Sequence, residues 1–277
     1  MTEKVKLAGV IGQPIAHSRS PQLHGHWLKR YGISGHYIPM DVAQSDLKSV
    51  LETLPKMGFL GVNVTLPHKE AVLDLADSVT DRAALIGAAN TLTFTADGRI
   101  QADNTDGIGF LANIRDYVPE WSAKSGPCVV FGAGGASRAI IAALSQAGAP
   151  LIRVTNRTRA RSDALKEHFG AKIEVVDWVQ AGNVLSDASL LVNTTSLGMQ
   201  GKSELRVPLD DLRPETVVTD IVYTPIQTEL LRKAKAAGCR TVDGLGMLLH
   251  QAAPGFERWF GTAPEVDMEL RKAVLAS

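Results

Sequence analysis

A chain of 277 residues, 45% hydrophobic and 21% charged, is long enough for one large soluble domain or two, each with a buried core. Its 29 Lys and Arg balance 29 Asp and Glu, which removes the electrostatic reason to expect nucleic acid or an anionic membrane surface as partner. No uncharged apolar stretch reaches the ~18–20 residues of a membrane span, and MTEKVKLAGVIG has no signal-peptide core, so a soluble cytoplasmic protein is expected.

VKLAGVIG (5–12) reads as a buried strand. Ser20 and Pro21 predict a helix start, with Ser20 at the N-cap, and Leu23, Trp27 and Tyr31 form a core-facing stripe through Tyr31. HYIPMDV (36–42) is a second strand, Ser45 an expected cap for a helix to about Leu54, and FLGVNVTLP (59–67) a third strand ended by Pro67. Lys69 to Ala76 predicts a short helix. AANTLTF (88–94) and RIQADNTD (99–106), joined at Asp97-Gly98, predict a hairpin, and the whole suggests a mostly parallel sheet with an antiparallel edge. A helix over 107–118 and a loop over 119–127 lead into CVVFGAGGASRAIIAALSQAGA, which reads strand, glycine turn, helix. Strands at 151–157, 172–176, 189–193, 217–222 and 240–242 alternate with helices at 159–169 and 227–237, a doubly wound pattern. GMLLHQAAPGFERWFG (246–261) is apolar and helical, and could return to the first domain. The expectation is a two-domain α/β protein: 1–106 with 247–277 as an open α/β domain, and 107–246 as a Rossmann-like domain with a cleft between them.

Cys128 and Cys239 border apolar runs and are expected as buried free thiols; no Cys or His spacing suggests a metal, and none of the seven histidines is assigned a catalytic part. Gly132, Gly134 and Gly135 suit close approach of backbone to a pyrophosphate at a helix N-terminus, although Ser137 stands where the fingerprint has its third glycine. An NAD site usually places Asp or Glu at the end of the next strand; here Asn156-Arg157-Thr158 stand there, followed by Arg159 and Arg161. Guanidiniums suit a 2′-phosphate, which favours NADP. In the first domain, Ser18 and Ser20 at a helix start could hold a carboxylate or could serve the helix alone. Asn63 and Thr65 share one face of a strand, with Lys69 just beyond it, and Asn90 and Asp106 flank the predicted hairpin. Five polar groups at the ends of buried strands suggest a crevice, in which Lys69 and Asp106 make a workable acid/base pair.

Nine blocks carry a wider resemblance: G-x-P-x-x-H-S-R-S-P (12–21), N-V-T-x-P-x-K (63–69), G-A-A-N-T (87–91), D-N-T-D-G (103–107), G-A-G-G-A (132–136), N-R-T (156–158), N-T-T-S-x-G-M (193–199), D-x-V-Y-x-P-x-x-T (220–228) and G-x-G-M-L-x-x-Q (244–251). Over essentially its whole length the chain resembles the shikimate/quinate dehydrogenase family, in its NADP-dependent shikimate dehydrogenase branch. The resemblance implies reversible NADPH-dependent reduction of 3-dehydroshikimate to shikimate, on the route to chorismate and aromatic amino acids. It implies Lys69 and Asp106 as the catalytic pair, Ser18 and Ser20 on the substrate carboxylate, and Asn63, Thr65, Asn90, Asp106, Tyr223 and Gln251 around the ring hydroxyls. It implies NADP held by Gly132, Ala133, Gly134, Gly135 and Ala136 at the pyrophosphate, by Asn156, Arg157, Thr158 and Arg161 at the ribose phosphate, and by Ile221 and Gly244 at the nicotinamide, with Asp81 a weaker cofactor candidate. Thr194 departs from the family's usual Ala, and Ile221 from its common Met. The partner implied is a small molecule, with neither nucleic acid nor membrane, and a homodimer is compatible. A quinate/shikimate dehydrogenase using NAD and a catalytically silent NADPH-binding regulator are the alternatives.

Overall fold

A computed structural model describes residues 5–276. The residues form two compact units, one running to Gly109 and resuming at Leu248, the other Phe110–Met247. Residues 1–4 and 277, which the expected first domain includes, lie outside the described residues.

In chain order the first unit contributes β1 (Lys6–Gly12), α1 (Ser20–Arg30), β2 (Gly35–Asp41), α2 (Leu47–Thr53), β3 (Phe59–Val64), β4 (Ser78–Val79), α3 (Asp81–Ile86), β5 (Thr91–Phe94), β6 (Ile100–Asp103) and the start of α4 (Asp106–Tyr117). The second contributes β7 (Cys128–Phe131), α5 (Gly135–Gln146), β8 (Ile152–Thr155), α6 (Arg159–Phe169), β9 (Ile173–Val176), β10 (Leu190–Asn193), β11 (Val217–Asp220), α7 (Glu229–Ala236) and β12 (Arg240–Val242). The long α8 (Leu245–Phe260) returns the chain to the first unit, and α9 (Met268–Leu275) completes it.

The first unit's sheet runs β2-β1-β3-β5-β6-β4. β1 pairs parallel with β2 and β3, and β5 pairs antiparallel with both β3 and β6. The antiparallel strand is therefore inside the sheet, not at its edge. The edge is β4, two residues parallel to β6 and too short to give a sequence period. Asn63 pairs with Thr91 and Thr91 with Asp103, so one line of polar residues crosses three strands. That line lies where β3 and β6 end and β5 begins. Apolar side chains of the same strands, Val62, Val64, Leu92 and Ala102, fill the core with Leu47, Leu51 and Val72. α8 packs on the sheet through Trp259, whose Nε1–H donates to the Leu92 carbonyl at 3.1 Å, and on α1 through Phe256, whose ring meets Trp27 at 5.1 Å. Only glycine fits under that indole: a Cβ on Gly61 would stand 2.1 Å from Trp259 Nε1.

The second unit's sheet is wholly parallel in the order β12-β11-β10-β7-β8-β9. Both faces are covered. Cys128 and Val130 look into one apolar cluster with Ile140, Ile141 and Leu144, while Val129 and Phe131 look into another with Leu185, Leu205 and Leu230. This is why the strands read as unbroken apolar runs. The winding reverses between β7 and β10, and such a reversal opens a crevice at the carboxyl ends of the strands.

Three local expectations change. Arg19, not Ser20, holds the N-cap of α1, and no side chain caps that helix; Ser18 Oγ accepts the Ser20 N–H at 3.3 Å instead. Ser45 lies in a 3₁₀ turn (Gln44–Asp46) and donates to the Asp46 carboxylate at 3.0 Å, so it caps nothing. The helix expected over 69–76 is one 3₁₀ turn, Ala71–Leu73. The Lys69 carbonyl accepts the Ala89 N–H at 2.7 Å and is withdrawn from any helical bond.

Candidate active site

The first unit gathers most of the predicted residues at one sheet end. Lys69 Nζ donates to Asp106 Oδ2 at 2.5 Å, with 16% of the Lys69 side chain exposed and 6% of that of Asp106. The other carboxylate oxygen, Oδ1, accepts from Asn90 Nδ2 at 2.8 Å, and the Asp106 N–H is held by Asn104 Oδ1 at 3.0 Å. The same Asn90 amide reaches Thr105 Oγ1 at 3.0 Å and Gln251 Oε1 at 3.0 Å. Gln251 comes from α8, 161 residues further along the chain than Asn90. Asn63 sits one strand away: its Nδ2 donates to the Asn90 carbonyl at 3.1 Å, and its Oδ1 accepts from the Tyr37 hydroxyl at 2.7 Å. Burial pushes the Tyr37 phenol well above its ordinary range, and Ser20 at the start of α1 is buried too. Thr65 and Ser18 are half-buried nearby in sequence, Thr65 just after β3 and Ser18 just before α1.

Lys69 is fixed from behind. His68 is fully buried, and its Nε2–H donates to the Val42 carbonyl at 2.8 Å, which anchors the turn after β3 to the end of β2. Asp106 is fixed through the segment before it. Asp103, 1% exposed, accepts from Arg82 Nε at 2.6 Å and Nη2 at 2.5 Å, from Thr80 Oγ1 at 2.8 Å, and from Arg258 of α8. Burial alone would raise the Asp103 carboxyl, yet the two guanidiniums and Thr80 hold it well below the usual carboxylate range.

In the second unit Gly132 follows β7 with φ +112°, a conformation that favours glycine, and a Cβ there would meet Thr194 Oγ1 at 2.5 Å. Gly134 is the N-cap of α5, with nothing within 4 Å of its Cβ position; Gly135 and Ala136 open the helix, and Ala133 is half-buried. Ser137, at the third position of the glycine fingerprint, is buried and donates to the Gly132 carbonyl at 2.7 Å, so its hydroxyl braces the turn. Thr194, the departure from Ala, donates to the Phe131 carbonyl at 2.7 Å. Past β8, Asn156 Nδ2 donates to the Thr158 carbonyl at 2.9 Å and Thr158 is the N-cap of α6. Arg159 pairs with Asp177 and, at 3.7 Å, with Asp163. Arg157 and Arg161 are exposed and take no ion-pair partner among the described residues.

Ile221, Tyr223 and Gly244 follow β11 and β12 in this unit. Tyr223 is half-buried, and Gly244 is pressed so close to β11 that a Cβ would stand 2.4 Å from the Ile221 carbonyl oxygen. Asp81 is an exposed residue in the first turn of α3, in the other unit from the glycine turn. The described residues contain no group of three or more His, Cys, Asp or Glu able to hold a metal. Reading the sequence missed Tyr37, Thr91, Asp103, Asn104 and Thr105 in the first unit, and Asn193, Asp220 and Thr228 in the second. The signal was partly there, since seven of these eight stand inside the quoted blocks.

A parallel sheet with a glycine turn at its reversal point, and two unpaired guanidiniums past the next strand, is dinucleotide-binding architecture. The chain is an α/β protein of that class. Its residues 10–92 match the family model described as the shikimate dehydrogenase substrate binding domain, 118–230 match shikimate/quinate 5-dehydrogenase, and 244–267 match the shikimate 5′-dehydrogenase C-terminal domain. A Cereibacter sphaeroides protein named shikimate dehydrogenase (NADP(+)) is 70% identical, covering 100% of both chains. Quinate dehydrogenase from Corynebacterium glutamicum, solved in complex with NAD, superposes with a TM-score of 0.91 at 33% identity over 99% of this chain and 100% of that one. Shikimate 5-dehydrogenase from Thermus thermophilus, solved with NADP(H) and shikimate, gives 0.87 at 37% identity over 98% and 99%. This chain belongs to the shikimate/quinate dehydrogenase family, with an N-terminal substrate-binding unit and a Rossmann-like unit.

Proposed function

We propose that this protein catalyses the reversible NADPH-dependent reduction of 3-dehydroshikimate to shikimate, in the cytoplasm, on the route to chorismate and aromatic amino acids. The observation that carries the chemistry is the 2.5 Å contact of Lys69 with Asp106 at the end of the buried polar line. NADP(H), when bound, supplies or accepts the hydride. Lys69 has N–H donors beyond the one given to Asp106, and one of them delivers the proton to the ketone oxygen during reduction. In the reverse direction the pair takes that proton from the alcohol. Asp106, with both oxygens hydrogen-bonded, holds the ammonium in one place. Asn63, Thr65, Asn90, Gln251 and Tyr223 are assigned to the ring hydroxyls, and Ser18 and Ser20 to the carboxylate, where a helix N-terminus favours negative charge.

The second unit fits the cofactor. The left-handed Gly132 and the open space over Gly134 leave room for a pyrophosphate at the N-terminus of α5. Arg157 and Arg161 suit a 2′-phosphate, and Asn156 stands where a carboxylate would serve the ribose hydroxyls of NAD. The cytoplasmic location is supported by two buried free thiols, and no helix among the described residues is long and apolar enough to cross a membrane. The test is turnover at the nicotinamide absorbance band with shikimate or quinate and with NADP or NAD. Shikimate with NADP should give the highest kcat/KM. A preference for quinate with NAD would overturn the reading, as would the absence of turnover with all four pairs.

A further inference from the structure

The proposed reaction leaves a buried acid unused. Asp220 ends β11 with 1% of its surface exposed. Its Oδ1 accepts from Asn193 Nδ2 at 3.0 Å and from the Val222 N–H at 3.0 Å, and its Oδ2 accepts from the Thr228 hydroxyl at 2.8 Å. The three donors come from three segments: the end of β10, the loop after β11, and the N-cap of α7. Asn193 carries the chain of bonds onward. Its Nδ2 also donates to the Leu197 carbonyl at 3.1 Å, and its Oδ1 accepts from Thr195 at both N–H (3.1 Å) and Oγ1 (2.7 Å). Asp220 thus knots the loop after β10 to the loop after β11.

Stability does not account for the charge. All three donors are neutral, and a buried carboxylate without a cationic partner costs more than a well-packed apolar side chain. What the carboxylate brings is direction. It can only accept, so every donor must face it and both loops are held in one arrangement. Those loops stand on a particular side of the sheet. Arg157 and Arg161 follow β8, on one side of β7, so the adenosine end of a dinucleotide lies there and the other half falls over β10 and β11. The loop after β10 also touches the pyrophosphate turn, through Thr194 against Gly132.

We propose that Asp220 is a positioning residue for hydride transfer: its carboxylate fixes the loops after β10 and β11 that receive the nicotinamide half of NADP(H). The proposal rests on the cofactor reading given above. Its test uses Asp220→Asn and Thr228→Val in the full chain, with Thr228→Ser as the conservative variant. Binding is measured with two probes, NADPH and adenosine 2′,5′-bisphosphate, which carries the 2′-phosphate but no nicotinamide. In Asp220→Asn and Thr228→Val, kcat and NADPH affinity should each fall at least about tenfold. Affinity for the bisphosphate and the KM for shikimate should stay within about twofold of wild type, and Thr228→Ser should behave as wild type. Equal weakening of both probes would make Asp220 a scaffold of the whole unit and overturn the proposal, as would unchanged kcat and NADPH affinity. Failure of the wild type to bind the bisphosphate would instead overturn the cofactor reading, and this proposal with it.

Discussion

Among the side chains gathered at the strand ends of the first unit, Lys69 has the most direct chemical consequence when removed. Lys69→Ala deletes the proton donor and leaves the buried Asp106 carboxylate on Asn90 without its cation, so kcat should fall roughly 10²–10⁴-fold and the melting temperature should drop while the fold is kept. Near-normal turnover in that variant would end the assignment. Arg157 and Arg161 make a second residue-scale case. Neither is paired among the described residues, so each is available to a phosphate, and one charge-assisted contact of about 1.5–3 kcal/mol corresponds to roughly a 10–200-fold change in affinity. Exposure argues for the lower part of that range. Arg157→Ala and Arg161→Ala should each lower the ratio of NADP to NAD catalytic efficiency several-fold, with activity on NAD hardly altered. A ratio that stays put in both would reduce the arginines to surface charges. The sequence made Lys69, Asn63, Asn90 and Asp106 legible because each is a polar residue beside an apolar run. It did not make Asp103 legible as a hub, because its partners Arg82 and Arg258 lie 21 and 155 residues away and no local pattern links them.

At the scale of elements, legibility followed length. The runs that form β7, β10 and β11 are apolar on both faces and could hardly be read otherwise. α3 escaped although its signals were present: Thr80 Oγ1 accepts the Ala83 N–H, and Gly87 closes the helix at φ +71°. Six residues are too few to show a helical period. α9 escaped for a related reason, its buried face being only Leu270 and Val274 behind the Asp267 cap. The seat of α8 on the sheet could not be read at all, since it depends on an absent side chain. Gly61→Ala would drive a methyl into Trp259 and into the Leu92 carbonyl oxygen, 2.2 Å away, and the backbone oxygen cannot swing aside. The variant should lose about 1–3 kcal/mol or more of stability in chemical denaturation. Because α8 also carries Gln251, its KM for shikimate should rise as well. A variant as stable as wild type would show that α8 is not seated as described.

Across the molecule, two buried acids set opposite responses to pH. The Asp103 carboxyl is held below its ordinary value, so its contribution is present above the unfolded pKa of about 3.9 and is lost as pH falls through its lower folded value. Burial pushes the Asp220 carboxyl the other way, up to about 6, against the bonds from Val222, Thr228 and Asn193. Its contribution is full below the unfolded value and is lost as pH rises through about 6. The second unit should therefore gain on the order of 2 kcal/mol from Asp220 as pH falls from 8 to 4, and the first should weaken only below that range. Denaturation of wild type and Asp220→Asn from pH 4 to 8 isolates the effect: superimposable pH profiles would refute it. The arrangement of the chain has a consequence of its own. The first unit begins with β1 and is completed by α8 and α9, with all of Phe110–Met247 spelled out between them. During synthesis from the N-terminus, every strand of the parallel sheet leaves the ribosome before Trp259 does. Gly61 and Leu92 must wait, uncovered, until α8 arrives. The unit that starts first is finished last: once the chain has emerged as far as residue 247, every strand of the second sheet is out while the first still lacks its lid of aromatic side chains.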